Sequence, residues 1–259
     1  MHSWQWQHWY DRPYLTCSLL EDWCHGFFSR HFWPQPPQAL TEVLMPDALP
    51  FRIRQVHGNG VLTTSEVTQH QPSEANPHPD ADGVVAEAAH QAVWVCSADC
   101  NPVLIGDQRT RRVAAVHAGW RGTALKVVPA AIAALQDQGS QLMDLRVAIG
   151  PAIAGSIYQV SIQVAAQVGA TITDRDFDQE VDLVEYLQVQ DNPAIFADPL
   201  PDRARLDVRR VNALQLQQLG LLAEQIAIAP HCTYQEPEQF FSYRRTKEKK
   251  VQWSGIVSR

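Results

Sequence analysis

Five short apolar runs, each cut off by Asp, Asn, Gly or Pro, set the tightest limit on how this chain folds: AVWVCSA (92–98), PVLIGD (102–107), RRVAAVHAG (111–119), DLRVAIGP (144–151) and QIAIAP (225–230). Each is shorter than an ordinary helix, and their apolar residues run together instead of alternating with polar ones. That is the pattern of strands buried on both faces. Helical spacing occurs in 123–138, which Gly139 ends and in which Pro129 is expected to bend the helix. It recurs in 161–170 and in 206–221, where Asp207 falls in the first turn and Gly220 supplies the stop. Strands outnumber helices without strict alternation, and no GxGxxG or Walker-type loop follows a strand. The expected fold is α/β, a single-domain sandwich of mixed β-sheets with flanking helices over residues 1–259.

Two regions are expected to depart from this regularity. Residues 1–50 are rich in Trp, His and Pro and are broken by Pro34–Pro37, so an irregular region packed on the body is expected. The runs FRIRQVH (51–57) and GVLTTSEV (60–67), parted by Gly58-Asn59-Gly60, predict a hairpin with His57 at its turn. The proline-rich polar stretch from Thr68 to Asp82 predicts an exposed loop.

Composition removes several function classes. A content of 45% hydrophobic and 19% charged residues is that of a folded globular protein, and the net charge of −7 leaves no basic footprint for nucleic acid. The basic runs Arg109–Arg112 and Arg244–Lys250 read as solvated loops, the second placed to face an anionic substrate. No apolar stretch approaches the roughly 18–20 residues of a membrane span, and the first residues lack an export leader, so a cytoplasmic location is expected. Five scattered cysteines do not form a secreted disulfide framework and leave thiols for metal binding or nucleophilic chemistry.

Three residues at the ends of predicted strands carry metal-binding chemistry: His57, Cys100 and His117. Zinc accepts imidazole nitrogen and thiolate sulfur, and three protein ligands with a fourth position open mark a catalytic site. Spacing alone does not establish the set, because none of it has the compact CxxC or HExxH form. A buried Cys acting as a small apolar residue and a hydrogen-bonded core His remain open readings. Cys96 is not expected to join Cys100, since a continuous strand would hold the two about 13 Å apart. Asp80 and Asp82 are read as turn caps or as orienters of a ligand histidine.

The segments CHGFFSR, QVHGN, DADGVV, CSADCNPVLIGD, AAVHAGWRGTA, IGPAI and CTYQEPEQFFSYRR, in this order, resemble the YfiH/YlmD family, also described as laccase-domain or polyphenol-oxidase-like proteins. The resemblance runs from about Cys24 to Ile256. It implies a cytoplasmic α/β sandwich enzyme with zinc held by His57, Cys100 and His117, phosphorolysing adenosine, inosine, guanosine and methylthioadenosine and deaminating adenosine. Purine nucleosides and phosphate are then the partners, with no nucleic acid and no membrane. In that setting Asp99 beside Cys100 is placed to shuttle a proton. Arg30 and Arg121 are the cations expected near phosphate or ribose, and Trp120, Phe240, Phe241 and Tyr243 are the aromatics available to stack on a base or to pack the core. The pair His231-Cys232 is expected at a strand end near the site. The sequence departs from the family in the short, proline-rich 31–50 and in the absence of Gly-Arg after SYRR. Two other chemistries stay open: a cysteine hydrolase or amidase acting on cell-wall precursors, with Cys100 as nucleophile and His117 as base, and a copper-dependent polyphenol oxidase. The second lacks the HxH pairs that chemistry uses.

Overall fold

The computed structural model describes residues 2–74 and 76–259. The first part of the chain forms β1 (Trp4–Trp9), β2 (Arg12–Cys17), β3 (His25–Phe28), α1 (Pro37–Leu44), β4 (Leu49–Arg52), β5 (Val61–Thr63), α2 (Thr64–Gln69) and β6 (Gly83–Val85). There follow β7 (Gln91–Ser97), β8 (Asn101–Asp107), β9 (Val113–Ala118), α3 (Trp120–Ala124), α4 (Val127–Asp137) and β10 (Leu145–Ile149). The remainder contributes β11 (Gln159–Ser161), α5 (Ile162–Gly169), α6 (Glu180–Gln188), β12 (Ile195–Ala197), β13 (Arg203–Leu206), α7 (Val208–Gln218), β14 (Ile226–Ile228), α8 (Tyr243–Thr246) and β15 (Gln252–Val257).

Two six-stranded sheets, ordered β1-β2-β3-β15-β7-β4 and β14-β10-β8-β9-β6-β5, stack face to face, and β11-β13-β12 form a smaller third sheet. Both large sheets are mixed, with parallel pairs β4–β7, β10–β14 and β5–β6. The period of two along each strand sorts side chains between layers. Val93 and Val95 of β7 meet Val84, Leu104, Ala115 and Ala148 of the opposite sheet in one core. Their neighbours Ala92 and Trp94 turn the other way, into a cluster with Leu40 of α1. On the far side, Val103, Ile105, Ala114, Val116, Val147 and Ile149 pack under α4 and α7. The central strands are therefore covered on both faces, which is why they read as unbroken apolar runs. α5, α6 and the third sheet bury a separate cluster around Val168, Ile195 and Leu206.

Three local expectations are corrected. The first fifty residues are not irregular: β1 and β2 pair antiparallel from Trp4↔Cys17 to Trp9↔Arg12, and Trp4 and Trp6 pack against the core between the sheets. The sequence WQWQHW does alternate over its first four residues, with Gln5 and Gln7 on the second face of an edge strand. Pro34–Pro37 still break the chain, and Pro37 opens α1 at its first turn, where a missing N–H costs nothing. The runs on either side of Gly58 do not form a hairpin: β4 joins β7 in one large sheet and β5 joins β6 in the other, so the chain at His57 crosses between sheets. The segment 123–138 is not one helix bent at Pro129. It breaks at Lys126, whose φ of 59° is left-handed, and Pro129 falls in the first turn of α4. Among the described residues no helix is long and apolar enough to cross a membrane.

His25 is buried, and its Nε2 accepts a hydrogen bond from the Cys17 N–H at 2.9 Å. Its Nδ1 therefore donates to the Trp23 carbonyl, also at 2.9 Å. Burial holds its pKa below the usual 6.5. The unfolded chain takes up a proton that the folded chain refuses, so stability falls as pH drops below about 6.5. Urea unfolding across this range is expected to show a steeper loss in the wild type than in His25→Asn. Packing between the sheets gives a second expectation. A Cβ at Gly150, just after β10, would overlap the Phe27 ring and lie 3.0 Å from Pro102 Cγ. Gly150→Ala is expected to cost about 1–3 kcal/mol by overpacking, read as a lower urea midpoint.

Candidate metal centre

Three structural devices bring the predicted ligands together. β8 and β9 pair with Pro102 opposite His117 and Asn101 opposite Ala118, so Cys100, one residue before β8, comes beside Gly119. The inter-sheet crossing carries His57, held at φ 62°. The two imidazole rings stand edge to face with centroids 4.8 Å apart. One ligand atom from each of His57, Cys100 and His117 lies within 4.8 Å of the others, a group able to hold a metal ion. Gly119 is part of this geometry, because a Cβ there would sit 3.0 Å from Cys100 Sγ and 3.2 Å from His57 Cδ2.

Asp82 fixes two of the three ligands. Its carboxylate is fully buried and accepts from His117 Nδ1 at 2.8 Å. It also accepts from the backbone N–H groups of Val56 at 3.2 Å, His57 at 3.0 Å and Gly58 at 2.6 Å. Burial disfavours its charge, yet the bonds from His117, Gly58 and His57 outweigh burial and hold its pKa below the usual carboxylate value. With Nδ1 spent on Asp82, His117 presents Nε2 to the ligand group. Burial likewise opposes ionisation of Cys100, but the neighbouring His117 charge and hydrogen bonds from both histidines reverse the sign and favour the thiolate. His117 is shifted upward by the same pair and by Asp82, against the effect of its own burial. A thiolate is the form that ligates metal or attacks an electrophile.

Asp99, at φ 97°, turns the chain from β7 into Cys100. Its carboxylate anchors the turn, accepting from Thr233 Oγ1 at 2.7 Å and from the Arg244 N–H at 2.7 Å. Asp99 and Cys100 line a pocket with Gly119, Trp120, Ile153 and Tyr158. Burial, followed by the charge of Cys100, pushes the Tyr158 hydroxyl up to about 12 and keeps it protonated.

Other expected residues lie differently. Arg30 stacks on Phe241, its guanidinium carbon 4.7 Å from the ring centroid, and donates to the Pro237 carbonyl at 2.5 Å. Arg121 is exposed, and its guanidinium carbon lies 4.5 Å from the ring centroid of Trp120, which lines the pocket. Phe240 and Phe241 are buried in the body, and Tyr243 is exposed on α8. Cys96 faces Arg52, and burial pushes its thiol up to about 11, outside the ligand group. Asp80 is a surface partner of Arg54, with Oδ2 2.6 Å from Nη2. His231 pairs with Glu236 at 2.7 Å, and Cys232 Sγ accepts the Ala154 N–H at 3.2 Å. Sequence reasoning missed Tyr158 and the side-chain position of Arg244. The only signal for either was the basic run containing Arg244.

Asp82→Asn keeps the side chain's shape but removes its charge and one acceptor oxygen. Metal affinity, measured by competitive chelator titration, is expected to fall roughly tenfold to hundredfold. His57→Ala and Cys100→Ala are expected to lose more, while Asp80→Asn leaves affinity within about twofold.

Over 256 residues the chain is 52% identical to "Purine nucleoside phosphorylase slr1573" of Synechocystis sp., covering 98% of this chain and 97% of that protein. It is 32% identical over 193 residues to "Purine nucleoside phosphorylase BQ2027_MB2173C" of Mycobacterium bovis, covering 74% of this chain and 66% of that protein. The crystal structure of YlmD from Geobacillus stearothermophilus superposes with a TM-score of 0.78 at 23% identity, covering 98% of each chain, and shares the fold. Residues 38–258 match the family described as multi-copper polyphenol oxidoreductase laccase, and the chain belongs to that family.

Proposed function

We propose that this chain is a zinc-dependent purine nucleoside phosphorylase, acting on adenosine, inosine, guanosine and methylthioadenosine, with accompanying adenosine deaminase activity. The convergence of His57, Cys100 and His117 beside the Asp99–Trp120–Tyr158 pocket carries this reading. Two imidazoles and a thiolate suit zinc, and the missing Cβ of Gly119 leaves room beside them. The family description names multi-copper oxidation, which needs several copper sites; among the described residues there is one three-ligand group. The name carried by the 52%-identical Synechocystis relative supports phosphorolysis. Five free cysteines suit a reducing cytoplasm.

Zinc held by His57, Cys100 and His117 would supply Lewis-acid chemistry and an acidified water. The chain's own residues do the rest. Trp120 and Tyr158 offer aromatic faces to a purine, and the protonated Tyr158 hydroxyl is a hydrogen-bond donor within the pocket. Asp99, anchored by Thr233 and Arg244, holds a carboxylate next to Cys100 where a proton is taken up or returned. In phosphorolysis a phosphate oxygen bonds to C1′ of the ribose as the bond from C1′ to the purine nitrogen breaks. The bonding pair leaves with the base, which then takes a proton. In deamination water adds at C6 and ammonia leaves.

The paired shifts of Cys100 and His117 favour a second reading, a cysteine hydrolase or amidase with a Cys100 thiolate nucleophile. Inosine incubated with the purified protein is expected to give hypoxanthine and ribose 1-phosphate only when phosphate is supplied. Chelation is expected to abolish turnover and to expose Cys100 to iodoacetamide. Turnover that survives chelation, with Cys100 alkylated equally before and after, would establish the cysteine reading instead.

A further inference from the structure

Resting on the phosphorolysis reading above, we propose that Arg121 and Arg244 together form the binding site for inorganic phosphate, set around Tyr158 at the mouth of the Cys100 pocket. Arg244 reaches this place by its own backbone, whose N–H donates to Asp99 at 2.7 Å. Its guanidinium carbon lies 4.9 Å from the centroid of the Tyr158 ring, and Nη1 is tied to the Gln159 carbonyl at 3.0 Å. The opposite edge of the fork remains to bind a ligand. Arg121 is fixed by its stack on Trp120, which lines the same pocket as Tyr158. Neither guanidinium makes an ion pair with a carboxylate among the described residues, whereas Arg54, Arg109, Arg111, Arg205 and Arg209 all do. In a chain with a net charge of −7, two such arginines flanking one pocket are the electrostatic signature of an anion site.

The nearest carboxylate, Asp99, keeps its charge, but both of its oxygens are occupied by hydrogen bonds, from Thr233 and from the Arg244 backbone, so an anion has to be held against it by the two guanidinium groups. The Tyr158 hydroxyl has no protein hydrogen-bond partner among the described residues, and Tyr158 lines the pocket beside Arg244, so it supplies a neutral donor there. A tetrahedral oxyanion with several acceptor oxygens fits two guanidinium groups and one hydroxyl better than a flat carboxylate does.

The test is direct titration of the metal-loaded protein with inorganic phosphate, followed calorimetrically, for wild type, Arg121→Gln, Arg244→Gln, Arg244→Lys and the double Gln variant. Each Gln variant is expected to weaken phosphate binding roughly tenfold to hundredfold. Arg244→Lys is expected to recover part of the loss, and metal content and inosine affinity are expected to hold. Arg121 is exposed and holds nothing else, so its variant remains informative if Arg244→Gln misfolds. Absence of phosphate binding by the wild type, or unchanged affinity in Arg121→Gln and Arg244→Lys, overturns the site. Weakened phosphate binding without phosphorolysis of any nucleoside upholds the site and removes the activity reading. Phosphorolysis whose phosphate KM is unmoved by the variants does the reverse.

Discussion

The buried carboxylate of Asp82 is the constraint on which the grouping of His57, Cys100 and His117 depends. One side chain accepts from the ring of His117 on β9 and from three consecutive backbone N–H groups of the crossing that carries His57. A carboxylate with no solvent contact is costly unless its charge is satisfied, and here four donors converge on it. The same bonds that stabilise the charge orient one imidazole and pin the loop of the other. Its backbone takes part as well: the Asp82 carbonyl accepts the His117 N–H at 2.7 Å, tying the end of β9 to the loop before β6.

The electrostatics are arranged in shells. Nearest the ligand atoms stand Asp82 and the Cys100 thiolate, which together raise the proton affinity of His117. Beyond them Asp99 closes the β7–β8 turn in a left-handed conformation, kept by bonds from Thr233 and the Arg244 backbone. The outermost groups are cations carried by the first turns of α3 and α8, two helices distant in sequence that both begin near this turn. Negative charge at the centre and positive charge at the rim suit an ion bound deep in the pocket and an anionic reactant arriving above it.

How much of this was legible in the sequence followed from burial. Strands covered on both faces, such as β8 and β9, announce themselves as apolar runs, and α7 shows its cap and its stop at Asp207 and Gly220. β1 was hidden because an edge strand carries Gln5 and Gln7 on its second face and His8 interrupts the Trp face, while a stretch of Trp and Pro around it suggested disorder of pattern. The placement of His57 was misread because Gly58-Asn59-Gly60 is the composition of a tight turn, while the pairing partners of β4 and β5, β7 and β6, lie far along the chain. The three ligands were found through resemblance, since no local spacing encodes a site assembled from a crossing, a turn and a strand end. Tyr158 sits in a segment with neither periodicity nor a charged neighbour, so only its contacts reveal it.

The crossing from β4 to β5 has one more consequence. Its first half is hydrogen-bonded into one large sheet and its second half into the other, while Cys100 lies where the first sheet's β7 turns into the second sheet's β8. An ion held by both residues would therefore fasten the interface between layers. Slippage of one layer on the other would open its site, and by thermodynamic linkage tighter binding of a saturating metal would add equally to the resistance of the layers to parting.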